Sequence, residues 1–313
     1  MHVYTDNISY STQVLESAHG WTRTSRLSLQ HELQLLVRSL LPGDELFRAE
    51  IESDDCWRTL LITEFAHRSQ FDVLLDLSRA GASLPSGTVC LAGSGNSFHG
   101  FRSRPWAAAP GNLHLSAFLT PNRAIDHFDV GFTILSAVSV VQTIDTLQGL
   151  AHRAMIRWIN DVMIDQAKVS GVLTASQSSR NLVTGAVIGV GLNVETRPHV
   201  EPTPFVREAG ALWDFVEAKQ PSRSHILTRL LDRLAHNYRL LVGGRYDQLL
   251  DFYRGRSLVA NKRVQIFADT VDGALQELAR GRVLSIGEGL ELILEGVDTP
   301  IRKGRLVVAQ AAS

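Results

Sequence analysis

Cysteine is scarce in this 313-residue chain, which contains only Cys56 and Cys90. Two thiols cannot build a disulfide framework, and alone they cannot supply the four ligands of a structural zinc site. A chain of this length buries enough apolar surface to hold a core without either cross-link. The scarcity therefore fits a reduced compartment, and we expect a cytoplasmic protein.

Net charge is also nearly absent, because 31 lysines and arginines stand against 32 aspartates and glutamates. This balance removes the bulk electrostatic attraction to a polyanion. We therefore expect neither nucleic acid nor a membrane among the partners. Local clusters of basic residues stay compatible with a neutral total.

No stretch of the sequence predicts a transmembrane helix. Residues 105–122 are uncharged and long enough, but prolines and a glycine interrupt them. Residues 130–144 are apolar but too short, and they predict a buried helix. Residues 1–6 lack the basic start and apolar core of a secretory signal.

The spacing of apolar residues predicts an α+β fold. Residues 27–40 carry leucines at helical spacing and predict one amphipathic helix. Residues 222–241 carry a second leucine stripe, with Ser222 or Ser224 as its cap. Between them, strand patterns lie at 59–64, 88–92, 112–119, 155–158, 169–175 and 185–194, and helix patterns at 71–80 and 130–148.

The pattern changes after residue 256. Short strand-like runs separated by glycines lie at 263–268, 275–278, 281–286, 290–294 and 305–308. Such spacing predicts a small β-barrel. We therefore predict an N-terminal extension with one amphipathic helix (1–48), a catalytic domain (49–255) and a C-terminal β-barrel (256–313). The alternating strand 112–119 is a hypothetical edge through which a homodimer pairs.

Residues 92–116 form a glycine-rich stretch that carries His99, Arg102 and Arg104, followed by Trp106. Glycine lets the backbone approach a ligand, and arginine binds phosphate or carboxylate through two donors at once. A tryptophan beside them can wall a pocket. The alternative is a mobile surface loop with two solvated arginines.

Lys168 lies in a turn that joins two predicted strands, and the chain has only three other lysines. A lysine at such a place can stabilise negative charge on a phosphate or carboxylate. The alternative is an ordinary exposed lysine. Asn160 and Asp161 either form a turn or hold a metal or a ribose.

In order and spacing, these segments resemble the biotin protein ligases of the biotin/lipoate ligase superfamily. The motifs that carry the resemblance are Arg104-Pro105-Trp106, Pro110-Gly111-Asn112-Leu113, Arg157-Trp158-Ile159-Asn160-Asp161, Lys168-Val169-Ser170-Gly171-Val172-Leu173 and Ile188-Gly189-Val190-Gly191-Leu192-Asn193-Val194. It spans about residues 60–310. It implies a mixed sheet with flanking helices, as in class II aminoacyl-tRNA synthetases, and a C-terminal SH3-like β-barrel.

The resemblance also implies two half-reactions. ATP, with Mg²⁺, and a carboxylic acid (biotin in the family) give an acyl-adenylate, and a lysine on a carrier-protein domain then attacks it. Lys168 would contact the carboxylate and α-phosphate, and Asp161 is the candidate base for the incoming amine. The substrate-binding residues implied are Asn96, His99, Gly100, Phe101, Arg102, Arg104, Trp106, Gly111, Asn112, Trp158, Asn160, Gly171 and Asn193. No direct protein ligand to a metal is predicted.

The sequence departs from the family where the biotin head would bind. The first two arginines of the family loop are His99 and Phe101 here, and its glutamine falls at Gly95 or Asn96. The family's Ser-Thr-Asn stands as Ser69-Gln70-Phe71. Each lost hydrogen-bonding partner would cost about 1–3 kcal/mol. We infer that the acid differs from biotin or that activity is altered, and His99 either takes over a phosphate contact or has no role.

Two other functions stay open. The first is a lipoyl or octanoyl ligase, or an ATP-free acyltransferase, on the same fold; Cys90, inside a predicted strand, is a poor nucleophile for the latter. The second is a catalytically impaired cofactor-binding protein. A repressor version would need a DNA-reading helix, and residues 1–48 are too short and too weakly basic for one.

Overall fold

A computed structural model describes residues 1–217, 219–269 and 275–309. Its helices are α1 (Ile8–Val14), α2 (His31–Leu40), α3 (Gln70–Arg79), α4 (Phe128–Asp145), α5 (Arg223–Val242) and α6 (Tyr246–Gly255). The strands are β1 (His2–Thr5), β2 (His19–Thr24), β3 (Leu46–Glu50), β4 (Thr59–Ala66), β5 (Thr88–Gly95), β6 (Leu113–Leu119), β7 (Ala154–Arg157), β8 (Asp161–Ile164), β9 (Ala167–Ser179), β10 (Leu182–Leu192), β11 (Arg263–Phe267), β12 (Glu277–Ile286), β13 (Leu292–Leu294) and β14 (Arg305–Val308).

The first ten strands form one mixed sheet in the order β2-β3-β1-β4-β5-β6-β10-β9-β8-β7. Strand β4 runs parallel to both β1 and β5, and the other neighbours in the sheet are antiparallel. This confirms the predicted α+β class with a large mixed sheet. The predicted strands and helices between residues 59 and 241 are all present, with ends shifted by a few residues.

Helices cover both faces of this sheet. On one face, Leu36 of α2 and Leu74 of α3 share a buried cluster with Leu61, Cys90 and Val187 of the strands. On the other face, α4, α5 and α6 contribute to the largest buried cluster. Because both faces are covered, the central strands are apolar on both sides rather than alternating.

Helix α4 fills the core of the second face, as residues 130–148 predict. Among the described residues it is the one helix long and apolar enough to cross a membrane. Here 12 of its 18 residues are buried within the fold. The hydroxyl groups of its two serines are satisfied inside the helix, since Ser136 and Ser139 donate to the carbonyls of Phe132 and Leu135 at 2.7 and 2.6 Å.

The N-terminal segment corrects the prediction of an extension with one helix. Residues 1–50 supply three strands of the main sheet, and they contain both α1 and α2. Strand β1 lies between β3 and β4, so it is held by hydrogen bonds on both sides. A four-residue strand is too short to show a period-2 pattern, which is why it was not predicted. The predicted helix 27–40 begins only at His31.

The hypothesis that residues 112–119 form a pairing edge is wrong. Strand β6 lies between β5 and β10, so both of its hydrogen-bonding edges are occupied. All seven of its residues are buried. The alternation in the sequence comes from His114 and Ser116, two polar side chains on one face that are only 3% and 5% exposed.

The C-terminal strands form a separate antiparallel sheet in the order β13-β12-β11-β14. The predicted strands 275–278 and 281–286 are one strand, β12, which continues through Gly281. A small C-terminal antiparallel sheet is therefore present, while a separate β domain, its closure into an SH3-like barrel and the boundary at residue 255 stay predictions. Residues 270–274 and 310–313 of the predicted barrel lie outside the described residues.

The N-terminal segment offers a test of its place in the core. Leu36 is fully buried against the sheet, and Leu27 is 76% exposed. We expect Leu36→Ala to lower the free energy of unfolding by about 2–5 kcal/mol, because it leaves a cavity. Leu27→Ala is the control and should change it by less than about 0.5 kcal/mol. Urea denaturation measures both, and equal effects would contradict the fold described here.

Candidate active site

A pocket of about 660 Å³ opens on the α3 face of the main sheet. Strands β6, β9 and β10 form its floor, and the segment 98–107 lies over it as a loop. Residues 198–206 and the C-terminal strand β14 add further walls. The pocket therefore draws on the main sheet, on a loop and on the small C-terminal sheet.

Two glycines face each other at the floor. Gly171 of β9 and Gly191 of β10 are partners in the strand register. The indole of Trp106 lies on both, since a Cβ at Gly191 would overlap the indole ring and one at Gly171 would lie 3.3 Å from Trp106 Cζ3. The same point above Gly171 is 3.3 Å from Lys168 Nζ. Glycine is required here because the tryptophan and the lysine occupy the side-chain space.

Lys168 is the cation of the floor. Its Nζ lies 2.5 Å from Asp161 Oδ1 and 5.5 Å from the centroid of the Trp106 ring. Its backbone N–H donates to the carbonyl of Glu208 at 3.0 Å, and its own carbonyl accepts from Gly210 N–H at 3.0 Å. The ammonium group is thus held at one point beside the indole.

Asp161 is clamped by two cations, because Arg157 Nη2 lies 2.6 Å from its second carboxylate oxygen. Burial by itself would raise the pKa of Asp161, but the charges of Lys168 and Arg157 hold that pKa well below its usual range. The carboxylate is therefore ionised at neutral pH. Arg157 in turn donates to the carbonyl of Phe205.

His99 has a charged partner that the sequence did not reveal. Its Nε2 lies 2.9 Å from Asp72 Oδ1 on helix α3, 27 residues earlier in the chain. Burial alone would lower the pKa of His99, but the hydrogen bonds to the Gly100 carbonyl and to Asp72 raise it overall. The pair ties the loop to the start of α3.

A neutral histidine fixes the tryptophan. His114 Nδ1 accepts a hydrogen bond from Trp106 Nε1 at 3.3 Å, and its Nε2 donates to the carbonyl of Ala109 at 3.1 Å. Burial lowers the pKa of His114 to about 4. Both ring nitrogens are used, so His114 serves to orient Trp106.

The C-terminal sheet reaches the loop through charges. Arg102 Nη1 lies 3.1 Å from Asp269 Oδ2, outside hydrogen-bond angles, so their attraction is mainly Coulombic. Arg305 of β14 lines the pocket, and its guanidinium carbon is 3.6 Å from the centroid of the Phe205 ring. Arg102 and Ser103 both have positive φ, at 56° and 57°. The loop is therefore held in a strained shape by the neighbouring sheet.

The pocket brings together ten of the residues that the sequence predicts. They are His99, Gly100, Phe101, Arg104, Trp106, Asn160, Asp161, Lys168, Gly171 and Asn193. They come from the loop, from the turn before β8 and the first residue of β8, from β9 and from the residue after β10, which lie far apart in the chain. Their roles toward a substrate stay predictions.

Five predicted residues lie outside the pocket lining, and their roles toward a substrate stay predictions. Asn112 instead accepts from the N–H groups of Val194 and Thr196 at 2.8 and 3.2 Å and so anchors the end of β10. Trp158 Nε1 donates to the Leu290 carbonyl at 2.7 Å and so ties the C-terminal sheet to the floor. The other three are Asn96, which is exposed, Arg102, which pairs with Asp269, and Gly111, in a turn with φ 85°.

Other lining residues were not predicted as site residues: Phe71, Phe98, His114, Ser116, Gly189, Gly191 and Arg305. Register on β6 and β10 could have indicated His114, Ser116, Gly189 and Gly191, since paired residues share a face. No sequence signal places Arg305 there. Neither cysteine lines the pocket, and burial raises the pKa of Cys56 to about 12 and that of Cys90 further.

No three His, Cys, Asp or Glu side chains cluster as a metal site within residues 1–217, 219–269 and 275–309. The acidic groups that line the pocket are Asp161 and Glu201. Because both oxygens of Asp161 already face cations, the floor offers no free carboxylate to a metal ion.

Comparison with solved structures defines the class of fold. The biotin protein ligase from Aquifex aeolicus in complex with biotin and ATP superposes with a TM-score of 0.62 at 18% identity, covering 82% of this chain and 100% of that chain. A biotin protein ligase-like protein of unknown function from Silicibacter reaches 0.57 at 14% identity, covering 83% of this chain and 97% of that one. The main sheet with its helices is thus a biotin protein ligase-type catalytic fold.

Sequence comparison finds relatives of the central segment. Residues 69–193 match the model of the biotin/lipoate A/B protein ligase family. The bifunctional ligase/repressor BirA of Bacillus subtilis is 33% identical over 124 residues, which is 39% of this chain and 37% of the relative. The biotin--[acetyl-CoA-carboxylase] ligase of Paracoccus denitrificans is 30% identical over 127 residues, 39% of this chain and 52% of that protein. The matches span well under two thirds of these relatives.

The glycine floor can be tested by substitution. In Gly191→Ala the new methyl group would overlap Trp106, whereas a Cβ at Gly185 meets its nearest neighbours at 3.4 Å. We expect Gly191→Ala to displace the indole and to weaken ligand binding by about tenfold or more. Gly185→Ala is the matched control on the same strand and should bind normally. If both variants bind the same ligand equally well in calorimetry, the close contact between Gly191 and Trp106 does not shape the binding site.

The contact between Arg102 and Asp269 predicts a change in loop accessibility. Phe101, next to Arg102, is 41% exposed and is a chymotrypsin site. We expect Asp269→Asn to speed cleavage after Phe101 roughly tenfold, because proteolysis follows the population of the open loop. Glu295→Gln removes an ion pair with Arg282 on the same small sheet and is the control. Unchanged cleavage in Asp269→Asn, at an unchanged melting temperature, would refute the tether.

Proposed function

We propose that this chain is an ATP-dependent ligase that activates a small carboxylic acid as an acyl-adenylate and passes it to a lysine of a carrier-protein domain. The observation that carries the proposal is the ammonium group of Lys168, fixed by Asp161 beside the Gly171–Gly191 floor. A cation held rigidly in a partly closed pocket is suited to stabilise charge that develops during a reaction.

The chemistry requires several cations. A carboxylate that attacks the α-phosphate of ATP brings two negative groups together, which positive charge must offset. The pocket lining offers Lys168, Arg104 and Arg305, together with His99, whose raised pKa favours its charged form. Their positions around one cavity support an anionic substrate of more than one charge.

The donor set also fits a nucleotide. Asn193 lines the pocket, its Nδ2 donates to the Gly210 carbonyl at 3.0 Å, and its buried Oδ1 has no partner. An unpartnered buried acceptor is costly unless a ligand supplies a donor, and the exocyclic amine of adenine is one. Mg²⁺ would be held by the phosphates, where it neutralises their charge, since the floor has no free carboxylate.

The role of Asp161 follows from its charge state. Its lowered pKa makes it a weak proton acceptor, whereas its two ion pairs position Lys168. We propose that Asp161 acts first as the residue that holds Lys168. A base role toward the acceptor amine stays a prediction that the same substitution would test.

The relatives support the chemistry in outline. The Paracoccus protein is named a ligase of biotin to acetyl-CoA carboxylase, and the Aquifex structure holds biotin and ATP. Since the matches span a minority of the Bacillus relative, activity, substrate and carrier partner are proposals for this chain. A cytoplasmic location is likewise a proposal for this chain.

An ATP-free acyltransferase is the second candidate. Both thiols lie outside the pocket lining and have raised pKa values, so a cysteine thioester has no support here. A cofactor-binding protein without turnover would keep the pocket and lose the exchange reaction. A ligase shows exchange that requires ATP, an acyltransferase transfers the acyl group without ATP, and a cofactor-binding protein binds without either reaction.

Pyrophosphate exchange tests the proposal. We expect ATP–pyrophosphate exchange that depends on a carboxylic acid, assayed over biotin, lipoate and octanoate. Lys168→Ala should lower kcat/KM at least about 100-fold, because it removes the cation of the floor. Lys303→Ala, at an exposed lysine of the C-terminal unit, is the control and should be unaffected. If none of the three acids supports exchange, the proposed function is overturned.

A further inference from the structure

The loop over the pocket is a narrow turn whose two arms pair with each other. Gly100 N–H donates to the carbonyl of Arg104 at 2.7 Å, and Trp106 N–H donates to the carbonyl of Phe98 at 2.9 Å. These bonds flank His99, which forms an antiparallel bridge with the opposite arm. Because the arms are tied together, a contact made by the His99 side chain also fixes the arm that carries Trp106.

Both ring nitrogens of His99 face oxygen atoms. Nδ1 lies 3.0 Å from the carbonyl oxygen of Gly100, and Nε2 lies 2.9 and 3.0 Å from the two carboxylate oxygens of Asp72. A neutral imidazole has one N–H group, whereas an imidazolium has two. The geometry therefore fits the charged ring, which alone can donate to both acceptors at once.

His114, on the floor of the same pocket, is arranged in the opposite way. One of its nitrogens accepts from Trp106 Nε1 and the other donates to the carbonyl of Ala109, so the ring is neutral. Burial lowers the pKa of His114 to about 4. Burial alone would also lower the pKa of His99, but its two hydrogen bonds raise that pKa overall. Of the two histidines, His99 is therefore the one that keeps its proton above the usual pKa of a histidine.

Asp72 is the charged side chain that contacts the His99 ring. The side chains of His99 and Asp72 are 28% and 21% exposed, so water screens their attraction only in part. Asp72 lies in the first turn of α3, where the helix dipole favours a negative charge. Across the described part of the chain, no other charged or titratable group of the pocket lining forms a hydrogen bond or ion pair with His99. Those groups are Arg104 on the loop, His114 on β6, Asp161 on β8, Lys168 on β9, Arg305 on β14, and His199 and Glu201 on the segment 198–206.

We infer that His99 and Asp72 form a latch that holds the loop closed over the pocket only while His99 carries its second proton. When that proton leaves, one ring nitrogen presents a lone pair to an oxygen atom, and an attractive contact becomes repulsive. At the tip of the loop, Arg102 keeps its charge, so its attraction to Asp269 is unchanged. A rise in pH therefore releases the α3 side of the loop, together with the arm that carries Trp106. The proton thus controls how far the pocket is closed to water.

Chymotrypsin cleavage after Phe101, which is 41% exposed, measures the opening of the loop. Rates are measured at about pH 6.5 and about pH 9 on the wild type and on His99→Arg, whose guanidinium keeps its charge beside Asp72 at both pH values. The ratio of the two rates cancels the pH dependence of the protease. Since the latch is complete at low pH and is lost as the pH rises through the pKa of His99, we expect the ratio of wild type to His99→Arg to rise at least about threefold. A ratio that does not change with pH would overturn the latch.

A second variant assigns the latch to its carboxylate. The imidazole of His99 is titrated by NMR in the wild type and in Asp72→Asn, and its signal is identified by its loss in His99→Gln. We expect Asp72→Asn to lower the pKa of His99, because the amide has no negative charge to hold the proton. The same variant should be cleaved after Phe101 faster than the wild type at about pH 6.5 and equally fast at about pH 9.

Asp76→Asn is the matched control on the same helix, where Asp76 pairs with Arg68 at the surface. It should titrate and be cleaved as the wild type is, which separates the loss of the latch from a general loosening of α3. An unchanged pKa of His99 in Asp72→Asn would refute the role of Asp72.

Both measurements use the free protein without nucleotide or acid, so they are independent of the proposed reaction. A latch that fails these tests leaves acid-dependent pyrophosphate exchange untouched. Absence of exchange overturns the proposed function and leaves the latch standing on cleavage and titration alone.

Discussion

The site depends on the absence of two side chains. Gly171 and Gly191 face each other on adjacent strands, and the space above them holds the Trp106 indole and the Lys168 ammonium group. Any larger residue would lift the indole away from its hydrogen bond with His114. The lysine, in turn, owes its position to Asp161, which Arg157 holds in place. The two glycines thus leave the space in which Trp106 and Lys168 lie side by side.

The fold was largely predictable because long periodic segments dominate it. Helix α4 and strands β9 and β10 are long enough for their patterns to identify them. Strand β1 was missed because four residues carry no period, and its pairing with β4 is a contact between segments 57 residues apart. The edge hypothesis for β6 was wrong because an alternation of polar and apolar residues shows only that the two faces of a strand differ. It does not show that either face or edge is exposed to solvent, and every residue of β6 is buried.

The site was predictable to the extent that its residues lie in contiguous motifs. Lys168, Asp161, Trp106 and Asn193 each stand in a short segment with a recognisable order, and the structure brings them to one pocket. Asp72 and Arg305 were out of reach because only folding brings Asp72 to His99 and Arg305 to the pocket. Asn112 and Trp158 belong to the same motifs yet serve as internal anchors, since a motif can contain residues that hold the strands of a site in place as well as residues that line it.

The position of Arg305 in the pocket wall has a consequence for chimeric proteins made from two related chains. The family model matches residues 69–193, but the cavity is completed by a residue more than a hundred positions beyond that segment. A chimera joined near residue 255 would inherit the floor from one parent and a charged wall from the other. The small C-terminal sheet is therefore not an interchangeable module: exchanging it between relatives would alter the charged wall of the cavity even where every residue of the matched segment is kept.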